Sequence, residues 1–125
     1  MSLAANAVVA LIGLLHVYIL VLEMFLWDKP AGRRAFGMTQ EMATATKTLA
    51  ANQGLYNGFL AAGLIWGLLH PQPEVGLQIQ LFFVICVLVA AVFGGLTAKR
   101  SILFVQGGPA LLALLALLAR SLGSG

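Results

Sequence analysis

The sequence predicts an all-α integral membrane protein built as a four-helix bundle, and three observations carry that prediction. Hydrophobic residues make up 61% of the 125 positions and charged residues only 9%, too little charge to cover a soluble domain of this size. Apolar stretches long enough to cross a hydrocarbon core of about 30 Å recur along the chain. Six of the seven basic residues gather in two short loops between those stretches, which is the charge pattern of a multi-pass protein. One four-span domain over residues 1–125 is therefore expected, with spans near 3–27, 40–70, 75–98 and 101–122.

The first span runs from about Leu3 to Trp27, with Trp27 suited to anchor its end at the membrane interface. It lacks a basic leading region and continues too far for a signal peptide, so it is expected to be retained. The loop DKPAGRRAFGMTQE follows, with Pro30 and Gly32 read as breakers. Thr39 suits an N-cap with Glu41 in the first turn, so the second helix is expected to begin near Gln40. At 1.5 Å per residue it would extend about 45 Å, with its first turns in water. Pro71 and Pro73 end it. The third span covers about Val75 to Ala98, and Lys99-Arg100 make a tight turn. In the fourth, from about Ser101 to Leu122, Pro109 predicts a kink or a late restart.

Charge sets the expected orientation. Lys29, Arg33, Arg34 and Lys47 lie in or beside the first loop, Lys99 and Arg100 in the third, and only Arg120 in the tail. The bias predicts a multi-pass protein of the inner (plasma) membrane, with loops 1 and 3 cytoplasmic and both termini outside. The basic residues are thus accounted for without nucleic acid as a partner.

The stretch Lys47–His70, KTLAANQGLYNGFLAAGLIWGLLH, is the most informative. It can cross a bilayer, yet its first third carries Asn52, Gln53, Tyr56 and Asn57. Hydrocarbon offers such groups no hydrogen-bonding partners, so they should face protein, water or a ligand. Asn52/Tyr56 and Gln53/Asn57 are spaced to form two neighbouring ridges. Gly54 and Gly58, then Gly63 and Gly67, form small-xxx-small pairs that let helices approach closely. With the predicted topology, Glu23, these amides, Thr97 and Gln106 gather towards the cytoplasmic side, while the outer halves are almost wholly apolar. That distribution favours a cytoplasm-facing pocket over a continuous pore.

His16 and Glu23 are seven residues apart, on one helical face and about 10 Å apart along the axis. A carboxylate at membrane depth points to function by default; the plainer reading pairs Glu23 with Lys47 or an amide of the second helix. His16 is read as bonding a neighbouring carbonyl or hydroxyl unless it acts with Glu23. The single cysteine, Cys86, sits in an apolar run and suits a small buried hydrophobe. Met24, Met38 and Met42 are read as packing rather than copper ligands, and no metal site is expected. Hydrolase, zinc and nucleotide motifs are missing from the sequence, and it points to no particular cofactor.

The segments HVYILVLEMFLW, PAGRRAFGMT, NQGLYNGFLAAGLIWGL and VQGGPA resemble a family of small four-span bacterial membrane proteins known only as a domain of unknown function. The resemblance covers nearly the whole chain and implies no activity. A more distant resemblance is to the MAPEG group, the membrane enzymes of eicosanoid and glutathione metabolism. It rests on RRAFG in the first loop, on Lys47 where that group carries a basic residue, and on Asn52 where it carries an asparagine. It implies a trimer with a cytoplasm-facing site between subunits. Leu55 stands where the group has an acid, which counts against glutathione activation.

These readings converge on a cytoplasm-facing site for a small molecule in a homo-oligomer, with a trimer favoured. Its residues are His16, Glu23, Asn52, Gln53, Tyr56, Asn57 and Gln106. Two alternatives stay open. One is a small transporter coupling protons or cations through Glu23, similar to the small multidrug exporters in length and in its first-span glutamate. The other is a structural subunit of a membrane complex, docking through its glycine seams.

Overall fold

The computed structural model describes residues 2–123, and all its regular elements are helices. They are α1 (Ser2–Met24), α2 (Pro30–Phe36), α3 (Gln40–Leu69), α4 (Pro73–Thr97), α5 (Arg100–Val105) and α6 (Gly107–Gly123). Three stretches are long and apolar enough to cross a membrane: Leu3–Met24, Pro73–Thr97 and Arg100–Gly123. With 30 residues α3 has the length, but its amide-rich first half lowers its hydropathy below that of the other three. Leu11, Leu14, Phe82, Phe93, Leu96 and Leu112 on the three apolar stretches are all well exposed. Only lipid or another protein surface can cover side chains of that size.

The helix boundaries follow from local chemistry. The Thr39 hydroxyl accepts a hydrogen bond from the Met42 backbone N–H at 3.2 Å, an N-cap that starts α3 at Gln40. Pro30 and Gly32 do not break the chain, as the sequence reading expects; they belong to α2. Proline in the first helical turn gives up an N–H that would have no partner there, and Gly37 closes α2 in the left-handed region at φ 62°. The fourth apolar stretch is interrupted at Gln106, three residues before Pro109. A proline ring clashes with the carbonyl four residues back. For Pro109 that residue is Val105, where α5 ends.

The chain forms two compact units. One takes the chain up to Gly13 and from Ala62 onward. Here α4 packs on α5 and α6, and α5 packs on α6, around a core that includes Val84, Val87, Ala113 and Leu117. The second glycine pair lies in this unit. A Cβ on Gly63 would fall on the Phe83 ring, and one on Gly76 would come within 2.6 Å of the Gly67 carbonyl oxygen. Beside that close approach, the buried Gln80 side chain donates from Nε2 to the same carbonyl at 3.1 Å. Four residues beyond Gly67 stands Pro71, which has no N–H to offer, so Gln80 supplies a donor that the helix cannot.

The other unit is Leu14–Ala61. It holds the second half of α1, all of α2 and the first three-quarters of α3, around His16, Leu22, Ala43, Ala50 and Ala61. The first glycine pair brings α3 against α1: a Cβ on Gly54 would meet Met24 Cγ at 2.6 Å, and one on Gly58 would meet Leu20 Cδ1 at 2.7 Å. Trp27 fastens the turn after α1. Its indole N–H donates to the Thr46 hydroxyl at 2.9 Å and its ring packs on Phe36 with centroids 4.8 Å apart.

Candidate functional site

Gly54 is the residue that makes the site. Lacking a side chain, it lets the α3 backbone lie beside Glu23, whose Cβ would be only 3.0 Å from a Cβ at that position. One turn further along α3, Asn57 reaches back and donates from Nδ2 to Glu23 Oε1 at 2.6 Å. The distance lies at the short end of the hydrogen-bond range and ties the end of α1 to α3. The same amide nitrogen lies 3.3 Å from the Gln53 backbone oxygen, which holds its orientation.

Next to this pair, still within the Leu14–Ala61 unit, is an open recess of about 270 Å³. Its α3 wall is Met42, Thr46, Leu49, Ala50 and Gln53, a set spaced to share one helical face. Glu23 from the end of α1, Trp27 from the turn after it, and Met38 from the turn before α3 complete it. The lining is mostly apolar, with the carboxylate and the Gln53 amide as its main polar groups. Such a composition suits a small molecule with an apolar body and one polar head.

Lys47, one sequence-level partner for Glu23, pairs instead with Asp28 at 3.1 Å. The Lys47 ammonium bonded to it holds the Asp28 carboxyl below the usual carboxylate range. The loop's charges are thereby partly matched outside the recess, and no basic residue lines it.

Of the residues singled out from sequence, the structure brings Glu23 and Asn57 into contact and sets Gln53 beside Glu23 on the recess wall. Asn52 and Tyr56 form a separate pair on the exposed side of α3, the Asn52 amide donating to the Tyr56 hydroxyl at 3.2 Å. His16 is buried, at 1% exposure, and does not line the recess. Gln106 belongs to the other unit, at the junction of α5 and α6. Trp27, Met38, Met42, Thr46, Leu49 and Ala50 line the recess and were not sequence-level site candidates. Their common helical face was the available signal for the α3 members. Among the described residues no three His, Cys, Asp or Glu side chains come together as a metal site would require.

The profile of a family described as "Protein of unknown function (DUF1304)" matches residues 10–118. The chain is also similar to a protein of Lactococcus lactis subsp. lactis (strain IL1403) named uncharacterized protein YpaA. The two are 35% identical over 107 residues, which cover 84% of this chain and 88% of that protein. No solved structure matches.

Proposed function

The chain belongs to the DUF1304 family of proteins of unknown function, and from that premise we propose that it is a small-molecule-binding membrane protein whose site is the recess beside Glu23 and Asn57. The observation that carries this reading is the 2.6 Å bond from Asn57 to Glu23 at the edge of a mostly apolar recess. An acid at the end of an apolar helix, held by a neutral amide and bordering open space, is placed to meet a ligand.

In this proposal α3 also crosses the inner membrane, as the second span of a single four-span domain. Its amides tolerate that depth by facing the site, a neighbouring subunit or water. Loops 1 and 3 are cytoplasmic and both termini outside, following the basic residues, so the recess opens to the cytoplasm. The exposed Asn52/Tyr56 pair supports a homo-oligomer, since lipid gives these groups no partners while a second copy does. The trimeric MAPEG arrangement is the architecture that this placement resembles. In the site Glu23 accepts or exchanges a proton or hydrogen bond, and Asn57 and Gln53 fix its geometry. Gln106, His16, Asn52 and Tyr56 do not line the recess and are not part of the proposed site.

The sidedness and the site can be tested together. In a Cys86→Ser background, Leu49→Cys places one thiol on the recess wall. A membrane-impermeant maleimide is expected to label it in inverted vesicles and not in right-side-out cells. The opposite pattern would reject the cytoplasm-facing recess.

A second reading has one observation in its favour. The hydrogen-bond partner of Glu23 is a neutral amide, while the nearby lysine is engaged by Asp28, so the carboxylate has no fixed cation to hinder proton or cation exchange. A coupled transporter would show ion-driven flux in proteoliposomes that Glu23→Gln abolishes; a binding protein would show none.

A further inference from the structure

The shape and charge of the recess define a ligand class, and this inference rests on the binding reading above. We propose that the recess takes a small organic cation, an ammonium group carried on a short apolar body. Glu23 is the one ionisable residue on its lining, and Asn57 engages only the Oε1 oxygen. A carboxylate has acceptor positions on both oxygens, so the second remains for a ligand N–H or a bare ammonium.

The rest of the lining agrees with that choice. Trp27, Met38, Met42 and Leu49 line the recess together with the acid. An indole attracts a cation through its ring quadrupole, and thioethers offer polarizable, adaptable contact to an alkyl chain. An anion would find no matching charge, because Lys47 is bound to Asp28 and no arginine or lysine lines the space. A neutral molecule could fill the volume but would leave Glu23 without a counter-charge in a mostly apolar setting. The open recess, about 270 Å³, has room for a short alkylammonium.

A charge series on one carbon skeleton tests this. Trp27 and Trp66 are the two tryptophans, so a Trp66→Phe protein in mild detergent reports on the recess through Trp27 fluorescence. Pentylammonium, pentanol and pentanoate are titrated at pH 7. The expected result is saturable binding of pentylammonium at least about tenfold tighter than pentanol, with the difference erased in Glu23→Gln. Pentanol or pentanoate binding as tightly as the amine would overturn the cationic class while leaving the binding site in place. No saturable response to any of the three would overturn the class and the site together. The comparison in unsubstituted Glu23 protein stands even if the Glu23 variant is poorly folded.

Discussion

Lys47 and Asp28 form an ion pair at 3.1 Å across the turn that joins α1 to α2 and the first turns of α3. Because the lysine is engaged there, Glu23 is held by Asn57 rather than by a fixed cation. The pair also makes a pH prediction. The Asp28 carboxyl lies below its ordinary value of 3.8 when folded. Its stabilising effect is therefore complete above about pH 4 and lost as pH falls through the lower, folded value. Thermal unfolding in detergent from pH 7 to pH 3 should show a loss of stability at the acid end that Asp28→Asn lacks. Matching acid slopes in the two proteins would count against the pair.

Removing the amide from the Glu23–Asn57 bond should cost more than neutralising the acid. Asn57→Ala leaves a part-buried carboxyl without its donor, a loss of about 1–2 kcal/mol. Glu23→Gln keeps an acceptor oxygen in the same place and should lie within about 0.5 kcal/mol of the parent. A double-mutant cycle of Asn57→Ala with Glu23→Ala, which removes the acceptor, measured by reversible unfolding in detergent would give the coupling directly. Independent, additive effects would contradict the bond.

Gly32 on α2 is buried, and a Cβ there would overlap the backbone carbonyl oxygen of Leu26. Backbone cannot swing aside as a side chain can, so Gly32→Ala should destabilise by about 1–3 kcal/mol. Gly108 provides the contrast. Nothing lies within 4 Å of its hypothetical Cβ, and Gly108→Ala in α6 should be neutral or stabilising by up to about 1 kcal/mol. Equal responses at the two positions would refute the packing described around α2.

Gln80 donates to the Gly67 carbonyl at 3.1 Å in place of the N–H that Pro71 lacks. Gln80→Met should therefore cost about 1–2 kcal/mol by leaving a buried carbonyl short of a donor. Adding Pro71→Ala restores a backbone N–H four residues after Gly67 and should recover part of that loss. The same substitution in a Gln80 background should recover nothing. Thermal unfolding of the four proteins distinguishes these outcomes.

Much of this architecture was legible in the sequence because it depends on local signals. Thr39 marked the start of α3, Pro71 and Pro73 marked the gap after it, and the glycine spacing marked where other helices come close. The gap in α3's hydropathy was equally visible as Asn52, Gln53, Tyr56 and Asn57. Helix α2 was not legible, because proline and glycine break a helix interior but are tolerated at its first turn. Pro109 pointed to a kink or late restart in the fourth span, and the break falls at Gln106 because a proline acts on the carbonyl four residues before it. In the site, Glu23 with an amide of the second helix was one of two pairings open from sequence. Choosing between them needed the position of Asp28, which lies 19 residues from Lys47. The recess wall was hidden for a similar reason. Met38, Met42 and Leu49 look like packing residues until the turn at Trp27 brings Glu23 beside them.

The central claim is that the Glu23 recess holds a small molecule, and native mass spectrometry from mild detergent tests it most directly. Unsubstituted protein, Glu23→Gln and Asn57→Ala would be compared at equal concentration. The account predicts an oligomer, with three copies favoured, that carries a small non-protein mass in the unsubstituted protein and loses it in both variants. Bare protein in all three samples, after incubation with an extract of the producing cells, would contradict it.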